Sequence, residues 1–236
     1  MSSFVVLQSN YIPWGGYFKL ISLADYCVFY DDVQYTKNDW RNRNTIQLGG
    51  EQKWLTIPVG NSISRKINEV KLPAGTWRND HLRLINQAYN SESAFNEIGK
   101  LLNEIYLNLG HDKLADYNQA TIKLICKDYL DLETEFLRSE EFRLEGTKNV
   151  RLQNLLLQCD ATEYITGPAG LNYLDTKWFQ QNGIRLSIID YAGYIGSYEE
   201  DTQKILRNTI IGLLARQGAL ASQHFKGKVE KIDAKN

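Results

Sequence analysis

Short apolar runs alternate with segments of helical spacing along much of the chain. The first two runs occupy residues 4–8 and 27–30, and between them the apolar residues of 17–24 recur at the spacing of one helix face. A strand, a loop, a helix and a second strand within about thirty residues have the length of a βαβ unit. The same alternation returns after residue 130. It predicts strands at 135–137, 163–166 and 184–189, and helices at 149–158, 173–181 and 197–216.

Two features interrupt this alternation. Residues 45–48 and 53–59 flank the pair Gly49-Gly50, which predicts a hairpin because glycine readily reaches the positive φ values of a tight turn. From residue 77 to 130 the apolar spacing is helical. Strands that alternate with helices favour a parallel sheet covered on both faces.

We therefore predict a single α/β domain over residues 1–222. It is Rossmann-like, with a mainly parallel five-stranded sheet of nucleotidyltransferase-like topology and a β-hairpin plus helical insert at 44–130. Residues 223–236 carry four lysines and are predicted to form a basic, flexible tail.

Charge and cysteine content narrow the functional classes. The 27 basic and 28 acidic residues nearly cancel, which argues against a nucleic-acid partner. The three cysteines are widely spaced within apolar runs and are expected to be free thiols in a reducing cytosol. Three separated histidines and no cysteine pair argue against a zinc site. We find no signal peptide and no segment long enough to span a membrane, and expect a cytoplasmic protein.

The aromatic content is unusual, with 14 Tyr and 5 Trp in 236 residues. These side chains join a large apolar face to a polar group, so an excess of them suits stacking on flat or sugar-like ligands. The alternative interpretation is a tyrosine-rich core and surface. In open α/β sheets the ligand lies beyond the carboxyl ends of the strands, which here indicates three loops at 9–16, 31–44 and 167–172.

The first loop combines amides and a phenol with two glycines. Gln8, Asn10 and Tyr11 are suited to hydrogen bonds with a neutral polar ligand. Gly15 and Gly16 open a helix, where backbone N–H groups favour an anionic group or an acyl oxyanion. The alternative is a tight turn covered by Trp14.

The second loop places three acids, a lysine, two arginines and several amides within fourteen residues. Arg41 and Arg43 have the fork geometry that binds a diphosphate, and Trp40 or Tyr35 can stack on a base or sugar. Asp31 and Asp32 are candidates for a metal site or a base; a merely solvated loop is the alternative. His81 is a second candidate base because its pKa lies near neutrality, unless it is structural.

Several dense motifs resemble the WbqC-like protein family. They are QSNYIPWGGYF at 8–18, Ala24-Asp25, YDDVQ at 30–34, Lys37, WRNRN at 40–44 and WLTIPV at 54–59, followed more loosely by Trp77, His81, the region of Asn118 and YITG at 164–167. This family is associated with O-antigen and related surface-polysaccharide gene clusters. The resemblance implies transfer of glycine or another acyl unit onto a sugar.

A second comparison concerns the start of the first helix. Trp14 and Tyr17 stand where nucleotidylyltransferases carry the two histidines of a His-x-Gly-His motif, which steady the phosphoryl-transfer transition state. Without these histidines, adenylation driven by ATP is not expected even if the fold is retained.

We therefore predict an acyl or aminoacyl transferase that modifies a nucleotide-linked amino sugar. Asp31 or His81 would be the base, no cofactor is implied, and an acyl-CoA, carrier-bound or aminoacyl donor would supply the group. A homodimer is left open. Alternatives are a nucleotidyl or phosphoryl transferase of the same fold and a non-catalytic sugar-nucleotide-binding subunit. The predicted substrate-binding residues are Gln8, Asn10, Tyr11, Trp14, Gly16, Tyr17, Gln34, Lys37, Trp40, Arg41, Asn42, Arg43, Asn44, Thr166 and Gly167.

Overall fold

The structure is a computed structural model that describes residues 2–226 and 231–233. The strands are β1 (Ser3–Leu7), β2 (Tyr26–Phe29), β3 (Arg43–Leu48), β4 (Glu51–Thr56), β5 (Glu135–Arg138), β6 (Glu163–Thr166), β7 (Arg185–Ile189) and β8 (Lys231–Asp233). The α-helices are α1 (Gly15–Ile21), α2 (Trp77–Tyr89), α3 (Gly99–Asn103), α4 (Leu114–Asp128), α5 (Lys148–Gln158), α6 (Thr176–Gln181), α7 (Tyr191–Gly196), α8 (Glu200–Leu206) and α9 (Ile211–Gln217). Short 3₁₀ helices occupy Ile67–Glu69, Phe95–Ile98, Ser139–Glu141, Pro168–Asn172 and Gly218–His224, and a π-helical turn occupies Glu104–Asn108.

The main sheet has the order β5-β2-β1-β6-β7-β8. The first five strands of this order pair in parallel, which confirms the predicted five-stranded parallel sheet. The short strand β8 adds to the edge and runs antiparallel to β7. The predicted hairpin is also confirmed, as a separate pair of β3 and β4.

Both faces of the sheet are covered, which explains why its strands are continuous apolar runs. In β2, Cys27 and Phe29 belong to a large core cluster that includes α1 and α4, whereas Val28 belongs to a second cluster with α5 and α6. Successive side chains of a strand point to opposite faces, so this alternation places one helical layer on each side.

The hairpin turn uses both of its glycines. Gly49 and Gly50 have φ values of 62° and 83°, a conformation that side chains disfavour and that the right-handed twist of a hairpin requires.

The predicted helix at 197–216 is divided into α8 and α9. The backbone N–H of Thr209 donates to the carbonyl of Thr45 over 3.0 Å, and that of Ile210 donates to the carbonyl of Pro13 over 2.9 Å. Because both donors are used by distant segments, the helical ladder cannot continue through them. The break instead ties the C-terminal helices to the hairpin and to the first loop.

The predicted tail starts inside the packed structure. Phe225 is buried, and its carbonyl accepts a hydrogen bond of 3.2 Å from Nζ of Lys19. Lys226 bonds Asp131 over 2.8 Å, and residues 231–233 form β8. Residues 227–230 and 234–236 of the predicted tail lie outside the described residues. No helix in the described part of the chain has the length and apolarity to cross a membrane.

Candidate functional site

The strand order reverses between β1 and β6. The chain passes from β1 to β2 on one side and returns through β6 on the other, and open α/β sheets bind ligands at this crevice. A cleft of about 720 Å³ opens there. Its lining combines apolar side chains with phenols, amides and two cations: Val6, Leu7, Gln8, Asn10, Tyr17, Tyr30, Arg41, Lys148, Asn149, Leu152, Tyr164 and Tyr173.

Arg41 is the cation that the second predicted loop brings to the cleft. Its Nη1 lies 3.3 Å from Oδ1 of Asn10, and its Nη2 donates to Oε1 of Gln8. Asp39 lies 3.4 Å away as a partly exposed ion pair. Within the described residues, the buried Nε of Arg41 has no hydrogen-bond partner. Two amide oxygens therefore orient the guanidinium, which keeps donor capacity for an anionic ligand.

Asn118 of α4 holds the first two predicted loops together. Its Nδ2 donates to the carbonyl of Arg41 over 2.8 Å and to the carbonyl of Ser9 over 3.2 Å, and the residue is fully buried. Gln8, Asn10 and Arg41 therefore meet at the cleft on a fixed backbone.

The first turn of α5 supplies the second cation, Lys148, with Asn149 beside it. Lys148 has φ 50°, in the left-handed region that few residues other than glycine adopt. Backbone strain of this kind clusters at functional sites. The described lining residues include no carboxylate beside Arg41 and Lys148, and the acid that pairs with Arg41, Asp39, lies outside the lining.

Four tyrosines supply most of the aromatic surface of the cleft. Burial raises the pKa of Tyr17, Tyr30, Tyr164 and Tyr173, so all four phenols are protonated at neutral pH. Tyr17 donates its O–H to the carbonyl of Gln8 over 3.0 Å. The cleft therefore offers apolar ring surface together with hydrogen-bond donors, which suits a polar ligand with flat faces.

Asp31, a predicted base, lies in the interior and not in the cleft lining. It is fully buried, its Oδ1 accepts from the backbone N–H of Ser9 over 2.9 Å, and its Oδ2 accepts from Nε2 of Gln119 over 2.7 Å. Burial raises the pKa of its carboxyl, although these two hydrogen bonds oppose the shift. The geometry makes Asp31 a brace for the start of the first loop.

Asp32 is likewise occupied by protein groups. One oxygen accepts from Oγ of Ser139 over 2.6 Å, and the other pairs with Nη2 of Arg151. All four carboxylate oxygens of the Asp31-Asp32 pair thus accept hydrogen bonds from the chain. In the described residues there is no cluster of three or more His, Cys, Asp or Glu side chains able to hold a metal ion.

His81, the other predicted base, belongs to a buried chain of hydrogen bonds. Its Nδ1 lies 2.8 Å from the hydroxyl of Tyr11, which lies 2.6 Å from the hydroxyl of Tyr106. Burial lowers the pKa of His81 to about 4, opposed by a hydrogen bond to the backbone of Thr56. The neutral imidazole therefore accepts from Tyr11 and fixes this tyrosine in the core, away from the cleft.

The two glycines of the first loop serve close packing. The ring of Trp14 lies over Gly16 so closely that a Cβ there would meet it at 2.2 Å, and a Cβ on Gly15 would meet Leu206 at 2.5 Å. Trp14 also packs against Tyr191, with ring centroids 5.1 Å apart. The start of α1 is thus covered by the protein's own side chains and not open to a ligand.

Two amides of the second loop are structural as well. Asn42 donates to the carbonyl of Ile57 over 2.9 Å, and Asn44 donates to the carbonyl of Ile12 over 2.7 Å. Both asparagines are buried. They join the loop to the hairpin and to the first loop.

The remaining predicted residues do not line the cleft. Gln34 and Lys37 are exposed, and Gln34 bonds the carbonyl of Ile63 over 3.2 Å. Thr166 is buried at the end of β6, and Gly167 packs beside the ring of Tyr191. Trp40 and Trp54 are exposed and contact each other, and the half-buried Arg43 lies over the ring of Trp54.

Sequence reasoning missed the contribution of α5 and of three tyrosines to the cleft, namely Lys148, Asn149, Tyr30, Tyr164 and Tyr173. The available signal was the strand order. The segment after β5 begins a helix at residue 148, and the rule that ligands bind beyond strand ends applies to it as much as to the three loops that were selected.

Comparisons with known proteins identify the family of the chain. The model of the WbqC-like protein family matches residues 8–221. The chain is similar to Rv1507c, an uncharacterized protein of Mycobacterium tuberculosis, with 39% identity over 196 residues that cover 82% of this chain and 84% of the relative. No solved structure shows significant similarity. On the family match over most of its length, the chain belongs to the WbqC-like protein family.

Proposed function

We propose that the protein is a cytoplasmic transferase of surface-glycan biosynthesis, of the O-antigen type, which N-acylates or aminoacylates a nucleotide-linked amino sugar. One observation carries the proposal. The cleft at the reversal of strand order combines Arg41 and Lys148 with four tyrosines and three amides, and no carboxylate is among its described lining residues. The association of WbqC-like proteins with surface-polysaccharide genes supports the substrate class.

The diphosphate of the sugar nucleotide would bind Arg41 and Lys148. Arg41 can present paired N–H donors to phosphate oxygens, and Lys148 adds a point charge. The sugar would lie against the tyrosine rings, with its hydroxyls bonded to amides such as Asn10 and Asn149. The size of the cleft, about 720 Å³, falls in the range of small-molecule sites and accommodates such a ligand.

In the reaction, the sugar amine attacks the carbonyl carbon of the acyl donor. The new C–N bond forms, the bond to the leaving group breaks, and the leaving group takes up the proton that the amine gives up. The protonated phenol of Tyr30, whose hydroxyl has no hydrogen-bond partner among the described residues, would donate to the oxyanion of the tetrahedral intermediate. Asp31 and His81 act in this proposal as positioning residues, because both are buried and bonded to the chain.

A second candidate is a sugar-nucleotide-binding subunit without turnover. It is favoured by the lining itself, in which the described residues include no carboxylate, imidazole or thiol to serve as a base. A nucleotidyl transferase is disfavoured because the oxygens of Asp31 and Asp32 already accept hydrogen bonds from the chain.

Binding is tested by thermal-shift and calorimetric titration with UDP-, GDP-, CMP- and dTDP-linked amino sugars. A ligand that binds only the folded state raises the melting temperature. Arg41→Ala should weaken the best ligand about 10- to 100-fold through loss of charge-assisted hydrogen bonds. Arg83→Ala is the matched control, since Arg83 is an exposed arginine of α2. No shift with any of the four classes would overturn the proposal.

Turnover separates the two candidates. The bound sugar nucleotide is incubated with glycyl and short acyl donors, and its mass is measured. A mass increase equal to the acyl group, dependent on protein, supports the transferase. Binding without any mass increase across the donors supports the non-catalytic subunit.

A further inference from the structure

Two of the five tryptophans are exposed, and they contact each other. Trp40 is 48% exposed and Trp54 is 45% exposed, and their ring centroids lie 5.8 Å apart at an angle of 32°. The other three are buried or half-buried. An exposed pair of large aromatic side chains on one surface is unusual and points to a binding role.

Arg43 completes this group. Its guanidinium lies over the ring of Trp54, 4.3 Å from the centroid. Arg43 pairs with Thr56 in the hairpin register, and Trp54 pairs with Thr45, so Arg43 and Trp54 are diagonal neighbours on one face. We call Trp40, Arg43 and Trp54 the tryptophan platform.

The backbone beneath the platform is fixed from inside the protein. The carbonyl of Trp40 accepts from the N–H of Tyr11 over 2.8 Å, and the carbonyl of the next residue, Arg41, accepts from Asn118 over 2.8 Å. Asn42 bonds the carbonyl of Ile57. The indole of Trp40 is therefore exposed on an anchored loop, and a ligand that stacks on it meets a surface that needs little ordering.

The platform does not line the cleft, but Oδ1 of Asp39 connects the two: it accepts from the backbone N–H of Trp40 over 2.7 Å and lies 3.4 Å from Nη1 of Arg41. Trp40 and Arg43 are close in sequence to Arg41, which enters the cleft, whereas neither they nor Trp54 are among its lining residues. If a ligand binds with its diphosphate at Arg41 and its sugar in the cleft, its remaining part would be next to Asp39 and Trp40.

We propose that the tryptophan platform stacks on the nucleobase of the sugar nucleotide. This inference rests on the proposed function only for the diphosphate at Arg41. The chemistry favours a base over a second sugar ring, because a base gains from stacking on an exposed indole and from the nearby guanidinium of Arg43, whose charge also attracts the adjoining phosphates. A neutral sugar ring gains nothing from that charge.

The test compares nucleotides with inorganic pyrophosphate. UDP, GDP, dTDP and CMP are titrated against the wild type, with tryptophan fluorescence and calorimetry as readouts. Trp54→Ala should weaken the best of these nucleotides about 5- to 100-fold, leave pyrophosphate binding unchanged and reduce the fluorescence quenching. Trp54→Phe should restore most of the affinity, since it retains an aromatic face. Trp178→Phe, which alters a half-buried tryptophan of α6, is the control, and thermal melts check that each variant folds.

The outcomes separate this inference from the proposed function. If the wild type binds a nucleotide and Trp54→Ala binds it equally well, the platform has no role in base recognition and this inference fails alone. If Trp54→Ala loses nucleotide and pyrophosphate to the same extent, the effect is not on the base and the inference is again overturned. If the wild type binds no nucleotide or sugar nucleotide, the proposed function fails and this inference fails with it.

Discussion

Replacement of Asp31 distinguishes a structural brace from a catalytic base. In Asp31→Ala, the N–H of Ser9 and the amide of Gln119 lose their acceptor in a fully buried position. Each unsatisfied buried donor costs about 1–3 kcal/mol, so the free energy of unfolding should fall by about 2–6 kcal/mol. In Asp31→Asn, the side-chain oxygen still accepts from Ser9, and rotation of the Gln119 amide restores the second bond. The loss at pH 7 should then be at most about 1 kcal/mol.

The Asp31 carboxyl also makes the stability of the protein depend on pH, and its burial sets the sign of this dependence. The pKa of Asp31 is raised in the folded state above the value of about 3.9 in the unfolded chain. Between these two pKa values the folded state binds more protons than the unfolded state. The contribution of Asp31 to stability is therefore full below the unfolded pKa and is lost as pH rises through the folded pKa. Asp31→Asn should remove this component.

Urea unfolding followed by fluorescence from pH 4 to pH 8 measures both effects. The structural role of Asp31 is refuted if Asp31→Ala has the same free energy of unfolding as the wild type and the same slope of that free energy against urea concentration. Sugar-nucleotide binding by Asp31→Asn should match the wild type. If this variant binds normally and is stable but loses turnover that the wild type shows, Asp31 is a base and not a brace.

Three further predictions follow from buried groups. Because burial lowers the pKa of His81 to about 4 in the folded state, the free energy of unfolding should decline as pH falls below 6.5, by about 2 kcal/mol at pH 5. In urea titrations, His81→Phe should abolish this decline. An equal dependence of stability on pH in both proteins would contradict the prediction. Gly16→Ala should destabilise the protein by about 1–3 kcal/mol because the ring of Trp14 must move away from the new Cβ. In thermal melts, adding Trp14→Ala to this variant should relieve that strain. Of the three cysteines, only Cys159 is not fully buried. A thiol reagent should therefore label at most one thiol of the folded protein, as measured by mass spectrometry. Rapid labelling of two or three thiols would contradict the burial of the other cysteines.

The parallel sheet was predictable because each of its five strands contains consecutive apolar residues, although those of the edge strand β5 are only half-buried. The pattern of Cys27, Val28 and Phe29 already reports burial on both faces. The edge strand β8 was not predictable, since Lys-Ile-Asp carries no strand pattern and its pairing is set by its neighbour β7. The break between α8 and α9 also depends on distant partners, because Thr209 and Ile210 bond Thr45 and Pro13.

The position of the site was predictable to the level of loops. Gln8, Asn10, Tyr17 and Arg41 lie at the cleft because they follow strands β1 and β2 at the reversal of strand order. Sequence alone does not tell whether an amide faces a ligand or the protein interior.

The buried amides show why the rest of the site was not predictable. Asn42 and Asn44 look like ligand-binding residues in the sequence, but in the fold they satisfy backbone carbonyls of Ile57 and Ile12. Lys148 is more than one hundred residues from Arg41 in the chain, and only the assembled sheet brings both to one cleft.

The binding of a sugar nucleotide at Arg41 is the central claim, and a crystal structure grown with the tightest ligand of the amino-sugar panel tests it most directly. We expect diphosphate oxygens within hydrogen-bonding distance of the Arg41 guanidinium, with the sugar among the tyrosines that line the cleft. A ligand bound away from the reversal of strand order, or a diphosphate that contacts neither Arg41 nor Lys148, would contradict it.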